Sequence, residues 1–337
     1  MTLDIHAHTV PEGFVAELAR VVPAAAPTLS QRDGEWWFDY PGGRRSGPIP
    51  AGMFDVGARL ADMDAAGVDV QALSVPPPHF GYRLPAQAGA DAARLHNDAM
   101  VQMARDHPNR FVVLGHLPMQ SEEHTLAELE RLVALPEVVG LEVGTNVAGV
   151  NLGAQAHDAV WSAIDAAGLA VVLHPGADVA GADRMQEAYL HNFVGNPTDS
   201  TVAAGSLIFS GVLQRNTALR IALLHGGGFL PYQIGRFDHG WRVRPEAREH
   251  LDVAPSDLLD RFWFDTLTHD PLSLRFLSDR VGPERLCLGS DYPFDMADPD
   301  PVGSLRTALA DRPDVVRKAL EDNPAELLTR RPGAAAG

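Results

Sequence analysis

Two histidines close to the start of the chain have the spacing of metal ligands. His6 and His8 belong to the segment LDIHAH, in which Leu3 and Ile5 alternate with more polar neighbours. Such alternation predicts a β-strand, and side chains two residues apart on a strand point to the same side. Both imidazoles can therefore approach one point, as the histidine ligands of a zinc-type ion do.

Further candidate ligands stand at the ends of other apolar segments. They are Glu142, His174, His225 and Asp291, and His116 ends one more segment. Buried imidazoles and carboxylates need partners to offset the loss of water. A single histidine at a strand end is more often structural, but a shared ion would be a partner for the whole set. The set therefore predicts one common metal site.

Eight short apolar segments are strand candidates, and helical patterns lie between most of them. The predicted strands cover residues 3–8, 68–74, 111–118, 138–144, 169–174, 219–226, 262–266 and 286–291. The predicted helices cover residues 55–66, 91–107, 122–135, 154–167, 200–213 and 271–281. This alternation indicates a parallel sheet, and eight units favour a (β/α)8 TIM barrel over a doubly wound open sheet. The active site of such a barrel lies at the C-terminal ends of its strands.

Two regions fall outside this alternation. Residues 31–50 contain two tryptophans, two arginines and several turn dipeptides. We interpret them as part of a small β-rich insertion, about residues 15–50, that lies over the barrel mouth; a disordered loop is the alternative. Helical patterns in about residues 301–330 would close the ring. The chain, residues 1–337, is predicted to be a single barrel domain.

Composition argues against several classes of function. The net charge is −17, and nucleic-acid binding is not expected because it requires a basic face. No segment reaches the ~18 apolar residues of a membrane helix, so we expect no membrane association. Without a dinucleotide fingerprint or a P-loop, no organic cofactor is expected. The single cysteine, Cys287, cannot form an internal disulfide and indicates a reducing, cytoplasmic location.

Four motifs carry a resemblance to a known family. DIHAH, VVLHPG, LLHGGG and LGSDYPF, in this order, resemble the amidohydrolase superfamily. More narrowly, they resemble the amidohydrolase 2 type branch typified by 2-amino-3-carboxymuconate-6-semialdehyde decarboxylase. The stretches RLADMDAAGVDVQALS, GNPTDSTVAAGSLIFSGV and DNPAELL extend the similarity over nearly the whole chain. The resemblance implies the TIM barrel and a metal-dependent reaction.

The resemblance also implies roles for the candidate ligands. His6, His8, His174 and Asp291 would bind one divalent ion, zinc first and manganese second, and leave a position for water. His225 matches the family's general acid/base, with Asp291 as a further catalytic residue; a fifth ligand or a core histidine is the alternative for His225.

Glu142 departs from the family pattern. It stands where the closest decarboxylases tend to have glutamine. Its carboxylate could bind the ion, support a second ion or hold a ligand histidine from behind.

Arginines would bind the substrate's carboxylate. Arg236, eleven residues after His225, matches an arginine that reaches the neighbouring subunit's site, which implies a homodimer; a surface ion pair is the alternative. Arg44 or Arg45 resembles the second carboxylate-binding arginine, and a solvated basic pair is the alternative there.

The sequence thus predicts a metal-dependent, non-oxidative decarboxylase, a carbon–carbon lyase. Its substrate would be a small carboxylated aromatic or enoic, muconate-like acid. Phe294 and His116 are further predicted substrate contacts, although Phe294 could equally belong to the barrel rim and His116 could instead support a ligand from behind. The alternatives are hydrolysis of an amide, ester, lactone or C–C bond on the same fold and, less favoured, a non-catalytic metal-binding scaffold.

Overall fold

The eight predicted strand regions form one parallel sheet in the computed structural model, which describes residues 1–23, 26–43, 45–176 and 178–330. In chain order the strands are β1 (Leu3–His8), β2 (Thr28–Arg32), β3 (Glu35–Asp39), β4 (Arg45–Ile49), β5 (Val70–Ser74), β6 (Phe111–His116), β7 (Val138–Gly144), β8 (Asn146–Val147), β9 (Val150–Asn151), β10 (Ala170–His174), β11 (Ile221–Leu223), β12 (Phe262–Asp265) and β13 (Leu286–Cys287). The α-helices are α1 (Phe14–Val21), α2 (Val56–Ala66), α3 (Ala86–Asp106), α4 (Glu122–Val133), α5 (Asp158–Ala167), α6 (Asn196–Phe209), α7 (Val212–Arg215), α8 (Leu230–Val243), α9 (Pro271–Val281), α10 (Pro301–Ala308), α11 (Pro313–Arg317) and α12 (Asn323–Leu328).

The first and last strands of the large sheet meet, so the sheet closes into a barrel. Its order is β1–β5–β6–β7–β10–β11–β12–β13, and neighbouring strands are parallel. Two hydrogen bonds join β1 to the segment that follows β13. The N–H of Ile5 donates to the carbonyl of Leu288 at 2.9 Å, and the N–H of Asp291 donates to the carbonyl of His6 at 2.9 Å. These bonds confirm the predicted (β/α)8 barrel and exclude the open sheet.

The barrel strands are buried on both faces, which explains their nearly continuous apolar sequences. On β10, Val171 and Leu173 belong to the same core as helix side chains such as Trp161 of α5. Val172, between them, belongs to a second cluster on the opposite strand face, together with Ile5 of β1. One apolar layer thus joins the sheet to the helices, and the other fills the opposite face.

The residues after β1 form the predicted β-rich insertion. Strands β2, β3 and β4 make an antiparallel sheet in that order, and α1 precedes them. Phe14, Leu18, Phe38 and Ile49 belong to an apolar cluster of this region, so the alternative of a disordered loop is wrong. The sequence did not predict α1, because its eight residues offer only about two turns of pattern.

Two of the strands that end earlier than predicted do so just before candidate ligands. The predicted strand 219–226 is shortened to β11, and 286–291 is shortened to β13. His225 has a φ of 55° and Asp291 a φ of 62°, a left-handed backbone conformation that a strand does not contain. The apolar pattern continues to these residues, but the backbone turns.

The C-terminal helices cover the place where the first and last strands meet. The N–H of Leu288 donates to the carbonyl of Ala319 at 2.9 Å. Leu327 and Leu328 of α12 pack in the same cluster as Leu3 of β1. Within the described part of the chain, no helix has both the length and the apolar character needed to cross a membrane. The cytoplasmic location stays a prediction.

Candidate active site

A bulge in β1 sets the direction of the two N-terminal histidines. The pairing of β1 with β5 joins Leu3 to Val70 and Ala7 to Leu73, so β1 uses one residue more than β5 over this stretch. An extra residue re-aims the side chains that follow it, and such bulges are common beside active sites. Simple alternation therefore does not describe β1, although the rings of His6 and His8 do come together, with centroids 5.2 Å apart.

Three histidines present unpartnered Nε2 atoms to one region. Nδ1 of His8 lies 3.2 Å from the carbonyl of Val75, and Nδ1 of His174 lies 2.7 Å from that of Pro175. A carbonyl only accepts, so each Nδ1 carries the proton and each Nε2 keeps its lone pair, as in metal-bound histidines. The Nε2 atoms of His6, His8 and His174 are buried and have no hydrogen-bond partner among the described residues. These three nitrogens, which no other group among the described residues satisfies, are where a cation would bind.

Asp291 lies among these nitrogens. Its Oδ1 is 3.2 Å from Nε2 of His6 and 3.3 Å from Nε2 of His8. Ligand atoms of His6, His174, His225 and Asp291 all lie within 4.8 Å of one another. This group contains His225 in place of His8. His8 adjoins it through the 3.3 Å contact with Asp291 and through its ring, which lies 4.8 Å from that of His174, centroid to centroid.

The charges of this cluster favour a cation. Burial opposes protonation of His6, but the carboxylates of Asp291 and Asp265 raise its pKa to about 10. Burial lowers the pKa of His8 to about 4, and burial with neighbouring histidines holds the pKa of His174 well below its usual value. Burial opposes ionisation of Asp291, yet the charge of His6 and the closeness of the other histidines hold its pKa well below the usual range. Neutral imidazoles and an ionised carboxylate are the protonation states of metal ligands, and a cation would take the place of the proton on His6.

His225 differs from the other three histidines of the site. Its Nε2 lies 3.7 Å from Oδ2 of Asp291, and its Nδ1 has no hydrogen-bond partner among the described residues. Its side chain is 16% exposed, whereas that of His6 is fully buried. Unlike the other three rings, that of His225 has no hydrogen-bond acceptor at Nδ1 among the described residues to orient it as a metal ligand. Because it is also partly exposed, it can reach a small molecule, so the arrangement favours proton transfer.

The glycines after His225 are required by close packing. Gly227 has a φ of +76°, and a Cβ there would lie 2.5 Å from the ring of Phe264; Gly228 has a φ of +62°, and a Cβ there would lie 2.2 Å from the carbonyl oxygen of Pro197. Only glycine accepts both the conformation and the contact. The turn thereby packs on β12 and on the start of α6, which fixes the position of His225.

Asp265, at the end of β12, is a site residue that sequence reasoning missed. Its Oδ2 lies 2.8 Å from Nδ1 of His6, and its Oδ1 accepts the N–H of Gly226 at 2.7 Å. One carboxylate therefore orients a candidate ligand and also the turn that carries His225. The available signal was an aspartate near the end of a predicted strand.

Glu142, on β7, lies behind the candidate metal site. Its Oε1 is 3.7 Å from Nδ1 of His8, whereas Nε2 of the same ring faces Asp291. Both carboxylate oxygens are buried without a hydrogen-bond partner among the described residues, and burial raises the pKa of Glu142 to about 8. Of the three roles considered for it, this geometry favours the support of His8.

Two predicted substrate contacts lie at the barrel mouth. Arg45 and Phe294 line a cavity of about 640 Å3 that is also lined by Asp291. Nε of Arg45 donates to Oδ1 of Asp39 at 2.6 Å, which holds the guanidinium on the insertion. The ring of Phe294 lies 5.1 Å from that of His8, centroid to centroid.

His116 does not lie at this mouth. It is buried, its ring stacks with those of Phe80 and Tyr82, and its Nε2 lies 2.9 Å from the carbonyl oxygen of Phe80. It lines neither mouth cavity. The structure therefore places His116 behind Phe80, away from the position predicted for a substrate contact.

The remaining two predicted arginines lie elsewhere. Arg236, on α8, is exposed, lines neither mouth cavity and has no ion-pair or hydrogen-bonding partner for its side chain among the described residues. Arg44 lies outside the described residues.

A second cavity, of about 660 Å3, adjoins the first and is lined by both His225 and Asp291. Each cavity has the size of a small-molecule site. The candidate catalytic pair therefore faces space that a substrate can enter.

Comparison with known proteins identifies a matching family and relatives of similar sequence. The amidohydrolase family model matches residues 3–330. Over 251 residues the chain is 36% identical to 2-amino-3-carboxymuconate-6-semialdehyde decarboxylase of Dictyostelium discoideum, which covers 74% of this chain and 70% of that protein.

Solved structures share the fold. The 5-carboxyvanillate decarboxylase of Sphingomonas paucimobilis has a TM-score of 0.81 at 25% identity, over 97% of this chain and 98% of that one. A dihydroxybenzoic acid decarboxylase of Polaromonas sp. JS666, solved with bound manganese and the inhibitor 2-nitroresorcinol, has a TM-score of 0.80 at 20% identity, over 97% and 96%. The predicted family and fold are confirmed: the chain belongs to the amidohydrolase family, on the branch that contains the 2-amino-3-carboxymuconate-6-semialdehyde decarboxylases.

Proposed function

We propose that this protein is a metal-dependent, non-oxidative decarboxylase of a small carboxylated aromatic or enoic, muconate-like acid. The observation that carries the proposal is the group of orphaned Nε2 atoms of His6, His8 and His174 around Asp291, beside a cavity that contains Arg45. The decarboxylase names of the sequence relative and of a solved structure at 25% identity support the reaction class.

A divalent ion would be held by His6, His8, His174 and Asp291. Three imidazoles and a carboxylate suit zinc, and manganese is the second choice. When bound, the ion supplies a Lewis-acidic positive charge that stabilises the anionic groups of the substrate.

Arg45 binds the substrate carboxylate, and Phe294 packs against its carbon skeleton. The planar guanidinium suits a carboxylate, and the ion pair with Asp39 limits the positions that it can take. In a chain with a net charge of −17, a cationic side chain at the mouth makes the site attractive to an anion.

His225 supplies the proton that replaces the carboxylate, and Asp291 assists it. Their side chains are 3.7 Å apart and both line the second mouth cavity. In the reaction, the bond between the carboxylate carbon and its neighbour breaks, CO2 leaves, and the electron pair left on the neighbouring carbon takes up a proton. His225 delivers this proton, and Asp291 stabilises the charged imidazole.

The protein acts as a homodimer in which Arg236 reaches the partner's site. Arg236 is exposed, and its side chain has no ion-pair or hydrogen-bonding partner among the described residues. Its own helix, α8, and the next helix, α9, expose apolar side chains: Tyr232 is 75% exposed and Leu272 is 76% exposed. An apolar patch of this kind beside an active-site cavity is typical of a protein interface.

The reaction is tested with protein loaded with zinc or manganese. Carboxylated phenols, aminobenzoates and muconate-type acids are assayed for CO2 release, beside a panel of esters and lactones, with His225→Ala as the control. Release of CO2 that His225→Ala abolishes supports the proposal. Hydrolysis without CO2 would refute decarboxylation and withdraw the roles of both arginines.

The dimer is tested by mixing two inactive variants, Arg236→Ala and His225→Ala. If Arg236 acts across the interface, each mixed dimer has one complete site, and a random mixture recovers about a quarter of wild-type activity. No recovery after subunit exchange, shown separately with labelled subunits, would mean that Arg236 does not serve the partner's site.

A further inference from the structure

We propose that Asp4 is a positioning residue of the candidate metal site: its carboxylate holds together the two chain segments that carry His6, His8 and Asp291. This inference rests on the metal site of the proposed function and names the group that aims three of its ligands.

Asp4 and His6 face opposite sides of β1, although they are two residues apart. Ile5 belongs to the apolar cluster on the strand face opposite the helices. Asp4 points to the helix side, where it binds Gln71, whereas the ring of His6 faces Asp291. In a regular strand, residues two apart share a face. The exchange of faces occurs at the bulge of β1, so the bulge turns His6 towards the site.

The carboxylate of Asp4 binds the backbone at this bulge. Its Oδ1 accepts the N–H of His6 at 3.0 Å. A bulge locally disrupts the ladder of hydrogen bonds between strands, and a buried N–H that loses its partner is costly. Because Asp4 supplies a partner to the N–H of His6, it stabilises the bulged conformation, in which the imidazoles of His6 and His8 face the site.

The same carboxylate binds the segment that contains Asp291. Oδ1 of Asp4 accepts the N–H of Ser290 at 3.1 Å, and Oδ2 accepts the hydroxyl of Ser290 at 2.6 Å. The hydroxyl oxygen of Ser290 in turn accepts the N–H of Tyr292 at 3.2 Å. Asp291, whose φ is 62°, therefore lies between two residues that are tied to Asp4. One carboxylate thus fixes the end of β1 against the segment after β13.

A buried arginine of α2 orients Asp4 through one intermediate side chain. Nη1 of Arg59 donates to Oε1 of Gln71 at 2.8 Å, and Nε2 of Gln71 donates to Oδ2 of Asp4 at 3.2 Å. All three side chains are buried. Since an arginine can only donate, the amide oxygen of Gln71 must face Arg59, and its amide nitrogen then faces Asp4.

The surroundings of Asp4 therefore require a carboxylate. Four donors meet it: the N–H of His6, the N–H and the hydroxyl of Ser290, and the amide of Gln71. A carboxylate accepts all four, whereas an amide has a single acceptor oxygen. An amide at position 4 would direct its own N–H groups at donors.

The test exchanges the chemistry of positions 4 and 71. Asp4→Asn keeps the size of the side chain but sets its amide against the amide of Gln71. The double variant Asp4→Asn/Gln71→Glu restores the match, because a carboxylate at position 71 accepts both from the amide at position 4 and from Arg59. Ser290→Ala removes one donor to Asp4 and leaves the carboxylate in place.

A second buried carboxylate is the control. Glu128, on α4, accepts from Asn97 of α3 at 2.7 Å and from Arg131 of α4 at 2.7 Å. Glu128→Gln therefore makes the same chemical change as Asp4→Asn, but between outer helices. It shows the effect of lost stability alone.

Two readouts follow the metal site without turnover. They are the affinity for zinc, from competition with a chelating dye, and the visible absorption bands of the cobalt-loaded protein, which report ligand geometry. We expect Asp4→Asn to lower the zinc affinity by about 10–100-fold and to shift the cobalt bands. Ser290→Ala should lower the affinity by about 2–10-fold, and the double variant should recover most of the loss. Glu128→Gln should lower the melting temperature only.

Unchanged zinc affinity and cobalt bands in Asp4→Asn would overturn the inference, as would equal changes in Glu128→Gln or a double variant no better than Asp4→Asn. If Asp4→Asn does not fold, Ser290→Ala decides in the same way. Each of these results leaves the decarboxylase in place when the wild type releases CO2. The expected changes without CO2 from any acid would remove the proposed reaction but keep the role of Asp4. A wild type that binds neither zinc nor cobalt would overturn both.

Discussion

The direction of three histidine side chains depends on groups on the far side of their rings. The carboxylate of Asp265 faces Nδ1 of His6, and the carbonyls of Val75 and Pro175 face Nδ1 of His8 and His174. These contacts turn the three Nε2 atoms towards the candidate metal site. Replacing an orienting group should therefore weaken metal binding without removing a ligand.

Asp265→Asn is expected to lower the affinity for zinc by about 10–100-fold, because an amide loses the charge that orients His6 and cannot accept on both atoms. The measurement is a competition titration with a chelating dye. Asp260→Asn, at an exposed position, is the control and should bind zinc as the wild type does. An unchanged affinity in Asp265→Asn would mean that the carboxylate is not needed for metal binding.

Glu142→Gln should change how the stability of the metal-free protein depends on pH. Burial raises the pKa of Glu142 from 4.5 to about 8, so between these values the folded state binds more protons than the unfolded state. Stability contributed by this group therefore falls as pH rises from about 4.5 to 8. Since Gln cannot ionise, the variant should gain stability relative to the wild type, by about 1 kcal/mol or more at pH 8 compared with pH 5. Denaturant unfolding at both pH values measures this, and an equal difference at pH 5 and pH 8 would contradict it.

The sequence was informative for candidate site residues at or just after the ends of strands, but it gave no signal for the residues that support them. His6, His8, His174, His225 and Asp291 were found because imidazoles and carboxylates after apolar segments are unusual. The support of His8 by Arg59 was not foreseeable. This buried guanidinium donates to the carbonyl of His8 and, at 2.8 Å, to Oε1 of Gln71, and such contacts depend on the position of α2.

Among the elements, turns set the geometry of the site more than the strands do. The strand regions were predictable because burial on both faces leaves a nearly continuous apolar segment. Their ends were not, because the turns at His225 and Asp291 have positive φ, which an apolar pattern does not record. The bulge of β1 was hidden for the same reason, since it changes register and not composition.

Two glycine-to-alanine substitutions should have opposite effects on stability, because one glycine lies in a closely packed turn and the other in an open position on a helix. Gly228→Ala places a Cβ 2.2 Å from the carbonyl oxygen of Pro197 at a φ of +62°; we expect a loss of about 2 kcal/mol or more and lower activity through a shift of His225. Gly235→Ala, in α8, meets nothing within 4 Å and should stabilise the protein by about 0.5–1 kcal/mol. Thermal unfolding measures both, and equal effects would show that the turn is not tightly packed.

For the whole molecule, metal binding should stabilise the fold. The predicted ligands come from β1, β10 and the segment after β13, so an ion would join elements that are separate in the unfolded chain. Zinc at 100 times its dissociation constant should add about 2.7 kcal/mol to the free energy of unfolding. The gain should shrink on acidification, because protons compete for the ligands. Melting temperatures with zinc and with a chelator test this, and His8→Ala should lose most of the gain. Identical melting temperatures for the wild type would argue against a metal site.

The closure of the barrel by its first and last strands also sets the order of events during protein synthesis. His6 and His8 leave the ribosome early, but Asp291 and the backbone that pairs with Ile5 and His6 emerge only after nearly all the intervening sequence has been made. A nascent chain that does not yet include Asp291 can therefore hold at most part of the ligand set. The complete set of candidate ligands can thus form only late in synthesis, and a chain released before Asp291 would expose histidines that bind metal weakly and without a barrel around them.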